Sequence, residues 1–253
     1  MMVLEICCGN LASLIAAKRG GATRIELCSG LSEGGLTPSY GLIKAAVDSG
    51  IPEVNVLIRP RSGDFLYSED ELQLMISDIR EAIKIGASGI VIGVLTADGD
   101  VDVEACRRLI EAAHNAAAEY GKPKPQVTFH RAFDVSRDAK SSLEAIISLG
   151  VDCLLTSGMT STAVKGIEML KKLMTLAAGR ITIMAGSGIN PSNAADIIAV
   201  TGVDAIHSTA RKPIASGMRF RRPIVAMGAP GSDEYSSLTT SPDMVAALCK
   251  NIK

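Results

Sequence analysis

The sequence lacks an excess of charge of either sign. Its 26 lysines and arginines face 27 aspartates and glutamates, for a net charge of −1. The basic residues are scattered, and the densest group, Arg219, Arg221 and Arg222, is too small for a nucleic-acid footprint. Neither nucleic acid nor an anionic membrane surface is therefore an expected partner. No apolar run reaches the roughly 18 residues of a membrane span. Residues 1–8 read as a strand, without the basic start and small-residue cleavage site of an export signal. The six cysteines are spread through a large chain rather than packed into a short secreted one. A cytoplasmic protein with reduced thiols is the expectation. His-x-x-x-His spacing is also missing, so nothing indicates a zinc-hydrolase site, and no organic cofactor is indicated.

Present throughout is an alternation of short β-rich runs with longer amphipathic segments, in a chain that is 47% hydrophobic. Strands are expected at 4–7, 24–28, 54–58, 89–92, 126–130, 153–156, 180–184 and 205–207. Helices are expected between them at 11–19, 40–48, 69–85, 103–120, 139–149, 163–177 and 192–200. Thr37-Pro38-Ser39, Asn190-Pro191 and the acidic run Glu69-Asp70-Glu71 mark helix starts. Glycines such as Gly20, Gly50, Gly86, Gly150 and Gly202 mark helix stops, one for each β/α unit. Eight strands so connected predict an α/β fold, a (β/α)₈ TIM-type barrel; a doubly wound open sheet is the alternative. The whole chain, 1–253, is read as one domain. After the eighth strand the pattern fades: 209–240 carries no clear eighth helix, which leaves the barrel incomplete there. Residues 212–253 then form an irregular extension ending in a helix at 243–251.

Side chains two apart on a strand share a face. Apolar faces (Leu4 and Ile6; Ile25 and Leu27; Val54, Val56 and Ile58; Val127 and Phe129) belong against the helices. The opposite parity sends Glu5, Cys7, Glu26, Cys28, Asn55, Arg59, Thr128, His130 and His207 into the barrel, with Ser157 after the sixth strand. One reading is a structural ion-pair network. The other is a ligand site, because barrel sites lie at the carboxyl ends of strands. On that second reading Glu5, Glu26, Arg59, His130, Asp134 and His207 are candidates for acid–base chemistry on a small anionic or phosphorylated metabolite. Gly186 and Gly188, before the helix after the seventh strand, permit close approach of an anion, or simply a tight turn. Arg59, Arg61 and Arg211 supply counter-charge, and Ser157 a hydroxyl. Cys7 and Cys28, at neighbouring strand ends, suit a soft ion such as Cu(I), or are small core residues. Cys8 points outward to the core, and Cys106, Cys153 and Cys249 have no partner at comparable positions.

Several stretches resemble one family. They are LEICC at 4–8, RIELCSGLSEGGLTP at 24–38, IRPRSGDFLYS at 58–68, TFHRAFD at 128–134, Leu155-Thr156-Ser157-Gly158 and residues 184–189. Met218-Arg219-Phe220-Arg221 and Asp233-Glu234-Tyr235-Ser236 complete the set. Together they resemble the CutC copper-homeostasis family, almost from end to end. The resemblance implies a TIM-type barrel of incomplete form, a cytosolic location, and a homo-oligomer, dimer or tetramer. It also implies Cu(I) binding by two cysteines, whose motif positions fall on Cys7 and Cys28.

Overall fold

In the computed structural model, residues 2–222, 224, 225, 227 and 233–252 are described. Eight parallel strands close into a barrel: β1 (Val3–Cys8), β2 (Arg24–Leu27), β3 (Glu53–Leu57), β4 (Gly89–Ile92), β5 (Gln126–Phe129), β6 (Cys153–Thr156), β7 (Thr182–Ala185) and β8 (Ala205–Ser208). Closure comes from β8 pairing with β1, with Glu5 opposite His207, which removes the open-sheet alternative. The helices are α1 (Leu11–Arg19), α2 (Tyr40–Asp48), α3 (Glu69–Ile85), α4 (Val103–Glu119), α5 (Ala139–Ser148), α6 (Ile167–Ala177), α7 (Ala194–Thr201) and α8 (Pro242–Asn251).

Local chemistry sets the helix ends. Asn10, Ser39, Asp102 and Asp138 each accept an amide of the first turn, and Ser68 with Glu71 forms a reciprocal capping box on α3. Gly86 ends α3 at φ 117°, a conformation that costs other residues dearly. The largest boundary difference is at α6, which begins at Ile167 rather than 163. There Gly158 and Gly166 pack so closely that a Cβ on Gly158 would lie 2.5 Å from the Gly166 carbonyl oxygen.

The outward faces of the strands form one continuous core with the helices, including Ile6, Cys8, Ile25, Val56, Ile90, Phe129 and Ile206. Fully burying side chains of this size contributes about 1.5–3 kcal/mol each, so the stability of the fold resides mainly in this shell. The barrel interior is divided. Cys7, Cys28, Leu57 and Val91 make one small apolar cluster. Cys153, Leu155, Met184 and Ala205 make another. Buried polar groups lie between them.

The helix expected at 243–251 forms as α8, and two features of the tail correct the expectation of an irregular extension and an incomplete barrel. First, β9 (Arg211–Ala215) and β10 (Ser236–Thr240) form an antiparallel hairpin outside the barrel. Second, α8 packs against both α1 and α7, so it fills the eighth place in the helical ring. The hairpin is therefore an insertion between strand eight and helix eight, anchored where the Thr240 amide donates to Ser13 Oγ at 3.2 Å. Among the described residues no helix is long and apolar enough to cross a membrane.

The docking of α8 relies on Gly20. A Cβ there would lie 2.5 Å from Val245 Cβ and 2.7 Å from the Pro242 carbonyl oxygen, whereas one on Gly41 of α2 would meet nothing within 4 Å. Gly20→Ala is expected to cost about 1–3 kcal/mol in urea unfolding, and Gly41→Ala to be neutral or mildly stabilising. Equal effects of the two substitutions would refute this account of α8.

Candidate functional site

Glu5 is the centre of the barrel interior and has no exposed surface. Strand register brings its partners from three directions. Glu5 Oε1 lies 2.9 Å from His207 Nδ1. Its Oε2 accepts from Asn55 Nδ2 at 2.9 Å and lies 3.4 Å from Arg24 Nε. Arg24 continues the network to Glu53, 3.2 Å away, and to the side-chain carbonyl of Gln126. An unpaired carboxylate here would be prohibitively costly. Burial opposes ionisation of Glu5, but the imidazole, the guanidinium and the amide outweigh it and hold the carboxyl below its ordinary range. For His207, burial opposes the imidazolium, yet Glu26 and Glu5 together raise its pKa. Glu5 commits His207 Nδ1 and leaves Nε2 for other chemistry.

Above this network Cys7 and Cys28 place their sulfurs 3.6 Å apart. Cys7 Sγ is also 3.6 Å from Glu26 Oε1. One donor atom each from Cys7, Glu26 and His207 lie within 4.8 Å of one another. The hydrogen bond with Cys28, burial and the negative charge of Glu26 push the Cys7 thiol well above its ordinary pKa. Burial, aided by the charge of Glu5 and opposed by His207, raises Glu26 to about 7. Glu26 Oε2 is buried with no partner among the described residues.

A cavity of about 610 Å³ opens over these groups at the carboxyl ends of the strands. Cys7, Glu26 and His207 lie at its floor, and Arg59, His130, Arg131, Asp134, Gly188 and Arg211 contribute to its walls. Arg59 is a structural tie as well as a cation: its Nη atoms donate to the carbonyls of Glu33, Gly35 and Gly63, all at 2.8 Å. His130 fits because β4 is followed by Gly93, where a Cβ would lie 2.5 Å from the imidazole. Burial and the Arg59 charge lower the His130 pKa to about 3. The two histidines thus face one cavity with opposite preferences.

Not every residue singled out in the sequence reaches the mouth. Glu5 sits one layer below it, and Cys28 lies behind Cys7 without lining the cavity. Arg61 turns away, paired with Glu71 at 2.6 Å and Asp64 at 2.9 Å. Ser157 is buried, where its hydroxyl bonds Asp134 at 2.8 Å. Asp134 lines the wall, but Arg131, Thr156 and the amides of Ser157 and Met159 saturate its carboxylate. Gly188 lines the cavity, whereas Gly186 does not; a Cβ there would collide with Leu155. Arg24 and Arg131 went unnoticed in the sequence. The parity of Glu26 includes Arg24, and the three-residue spacing of Arg131 and Asp134 was the available signal for the other.

Because the folded-state pKa of Glu26 is raised from 4.5 to about 7, its favourable contribution is present below the unfolded value and lost as pH rises through the folded one. Glu26→Gln is therefore expected to match wild type in acid and to gain stability over it between these limits, by up to about 3 kcal/mol. Melting temperatures of both proteins across that pH range check this; parallel curves would contradict it.

Comparison with known proteins agrees with the architecture. The CutC family model matches residues 2–212. A family protein CutC of Chromobacterium violaceum is 46% identical over 246 residues, 97% of this chain and 96% of that protein. The human copper homeostasis protein cutC homolog is 45% identical over 254 residues, 99% of this chain and 90% of its own length. A solved structure of CutC from Streptococcus agalactiae superposes with a TM-score of 0.75 at 35% identity, covering 83% of this chain and 99% of that one. Phosphoribosylanthranilate isomerase of Thermotoga maritima, at 12% identity and a TM-score of 0.53, shares the fold alone. The chain belongs to the CutC family.

Proposed function

We propose that this chain takes part in copper homeostasis by binding Cu(I) as cargo through Cys7 and Cys28. The observation that carries the reading is a pair of buried sulfurs 3.6 Å apart, of which that of Cys7 lies at the floor of an open cavity. Soft thiolates select Cu(I) over harder ions. Two thiolate–metal bonds of about 2.3 Å each span more than the observed separation, so one ion bridges the pair in a bent arrangement. Such an arrangement leaves room for a third donor, supplied by Glu26, or by His207 Nε2 once that nitrogen has released its proton. The human relative carries a copper-homeostasis name, which supports the same reading.

The ion enters through the cavity and meets Cys7 before Cys28, since only Cys7 lines the floor. Cys7 starts as a thiol, held well above its ordinary pKa by Cys28, burial and Glu26, so capture releases a proton and affinity rises with pH. A pair of thiols this close is kept reduced in the cytoplasm, the location that belongs to this reading. A homo-oligomer, dimer or tetramer, is part of the same proposal. Exposed Ile214, Met218, Phe220 and Leu238 on and beside the hairpin support it, and sedimentation velocity reads it directly.

Anaerobic Cu(I) competition titrations on wild type, Cys7→Ser, Cys28→Ser and Cys106→Ser test the site. Cys106 lies on the buried face of α4, where its thiol meets the Val94 carbonyl. The first two substitutions are expected to weaken binding more than about 100-fold, beyond what loss of a supporting group costs, while Cys106→Ser binds as wild type does. Equal binding by all four proteins would return Cys7 and Cys28 to core packing.

A further inference from the structure

A single ion between two sulfurs leaves most of the 610 Å³ cavity unused. That volume falls in the range of small-molecule sites, roughly 300–1,000 Å³. Its wall holds a donor without an acceptor. His130 is 6% exposed, and its Nδ1 accepts the Ala132 amide at 3.1 Å. An amide donor requires a bare Nδ1, so the ring is the neutral tautomer with its proton on Nε2. Nε2 is buried with no partner among the described residues. A buried N–H without an acceptor is costly and calls for one from outside the chain.

Positive charge is available at the rim. Arg211 lies on exposed β9, lines the cavity, and its guanidinium has no ion pair or hydrogen bond among the described residues. Arg59 adds a cation in the wall, its Nε likewise unpartnered. Of the carboxylates that line the cavity, Asp134 is saturated by its own donors and Glu26 lies at the floor beside His207. An acceptor rich in negative charge thus finds a neutral N–H, two guanidinium groups and little repulsion at the upper wall.

We propose that the barrel mouth carries a second site, above the thiol pair and independent of it, for a small organic oxyanion held by His130 Nε2–H and Arg211. A carboxylate and a phosphate ester share this chemistry. Both accept from a neutral imidazole and pair with a guanidinium.

Calorimetric titration of the metal-free full-length protein with inorganic phosphate, glycerol 3-phosphate and lactate tests the site, with glycerol as the uncharged control. At least one anion is expected to bind and glycerol to do nothing. Arg211→Ala, an exposed change that disturbs no packing, should weaken binding about tenfold, and His130→Asn should weaken it as well. Cys7→Ser should leave it unchanged, which separates this site from the copper reading. Long-range proton–nitrogen NMR should show the ligand shifting the Nε2 resonance of His130. Binding of the phosphates alone identifies a phosphoryl ligand, and binding of lactate alone a carboxylate; either supports the proposal. Absence of anion binding, or binding indifferent to both Arg211→Ala and His130→Asn, would overturn it.

Discussion

A carboxylate with no access to water lies at the centre of this barrel, and the placement of the groups around it follows from its needs. Glu5 is stable there only while His207, Arg24 and Asn55 remain on it. Those partners come from β8, β2 and β3, so one buried charge ties four strands into a single register. A slip of one residue would turn Glu5 out into the apolar shell. Removing one partner of such a network typically costs about 3–5 kcal/mol, which makes it a device for specifying structure as much as for stabilising it.

The same charge divides the chemistry of the mouth. Glu5 and Glu26 are one residue type in one barrel, yet their neighbours drive their acidities apart: Glu5 below its ordinary range, Glu26 up to about 7. The histidines repeat the pattern. His207, against two carboxylates, favours the proton; His130, against Arg59 and buried, sheds it. Opposed environments of this kind are how a single cavity comes to hold both an acid and a neutral donor. The thiol pair sits at the boundary, with Cys7 touching Glu26 and Cys28 at the same distance, 3.6 Å. Any cation that displaces the thiol protons also relieves the crowding of negative charge between Glu5 and Glu26.

Much of this was legible in the sequence because strand alternation is a strict rule. Parity placed Glu5, Cys7, Glu26, Cys28, Asn55 and His207 inside the barrel, and helix punctuation fixed α1, α2 and α3 to the residue. Parity reports the face and not the depth. Depth depends on the stagger of neighbouring strands, here Glu5 opposite Arg24 and Cys7 opposite Glu26, which a sequence does not display. Glu5 was accordingly expected at the mouth when it lies beneath it. Arg61 shares the parity of Arg59, but β3 ends at Leu57, and alternation has no force beyond a strand. The hairpin escaped notice because Arg211–Ala215 has no apolar alternation and contains Pro213, which only an edge strand tolerates. Arg24 opens its strand and reads as a surface charge until the carboxylate across from it is known.

An ionised Glu5 holding a charged His207 organises the barrel interior, and a pH titration of the His207 ring by long-range proton–nitrogen NMR measures that pair directly. The predicted result is an imidazolium that keeps both protons through the ordinary histidine pKa of about 6.5 and, once neutral, retains the one on Nδ1. A ring that titrates at or below that value, or carries its remaining proton on Nε2, would contradict it.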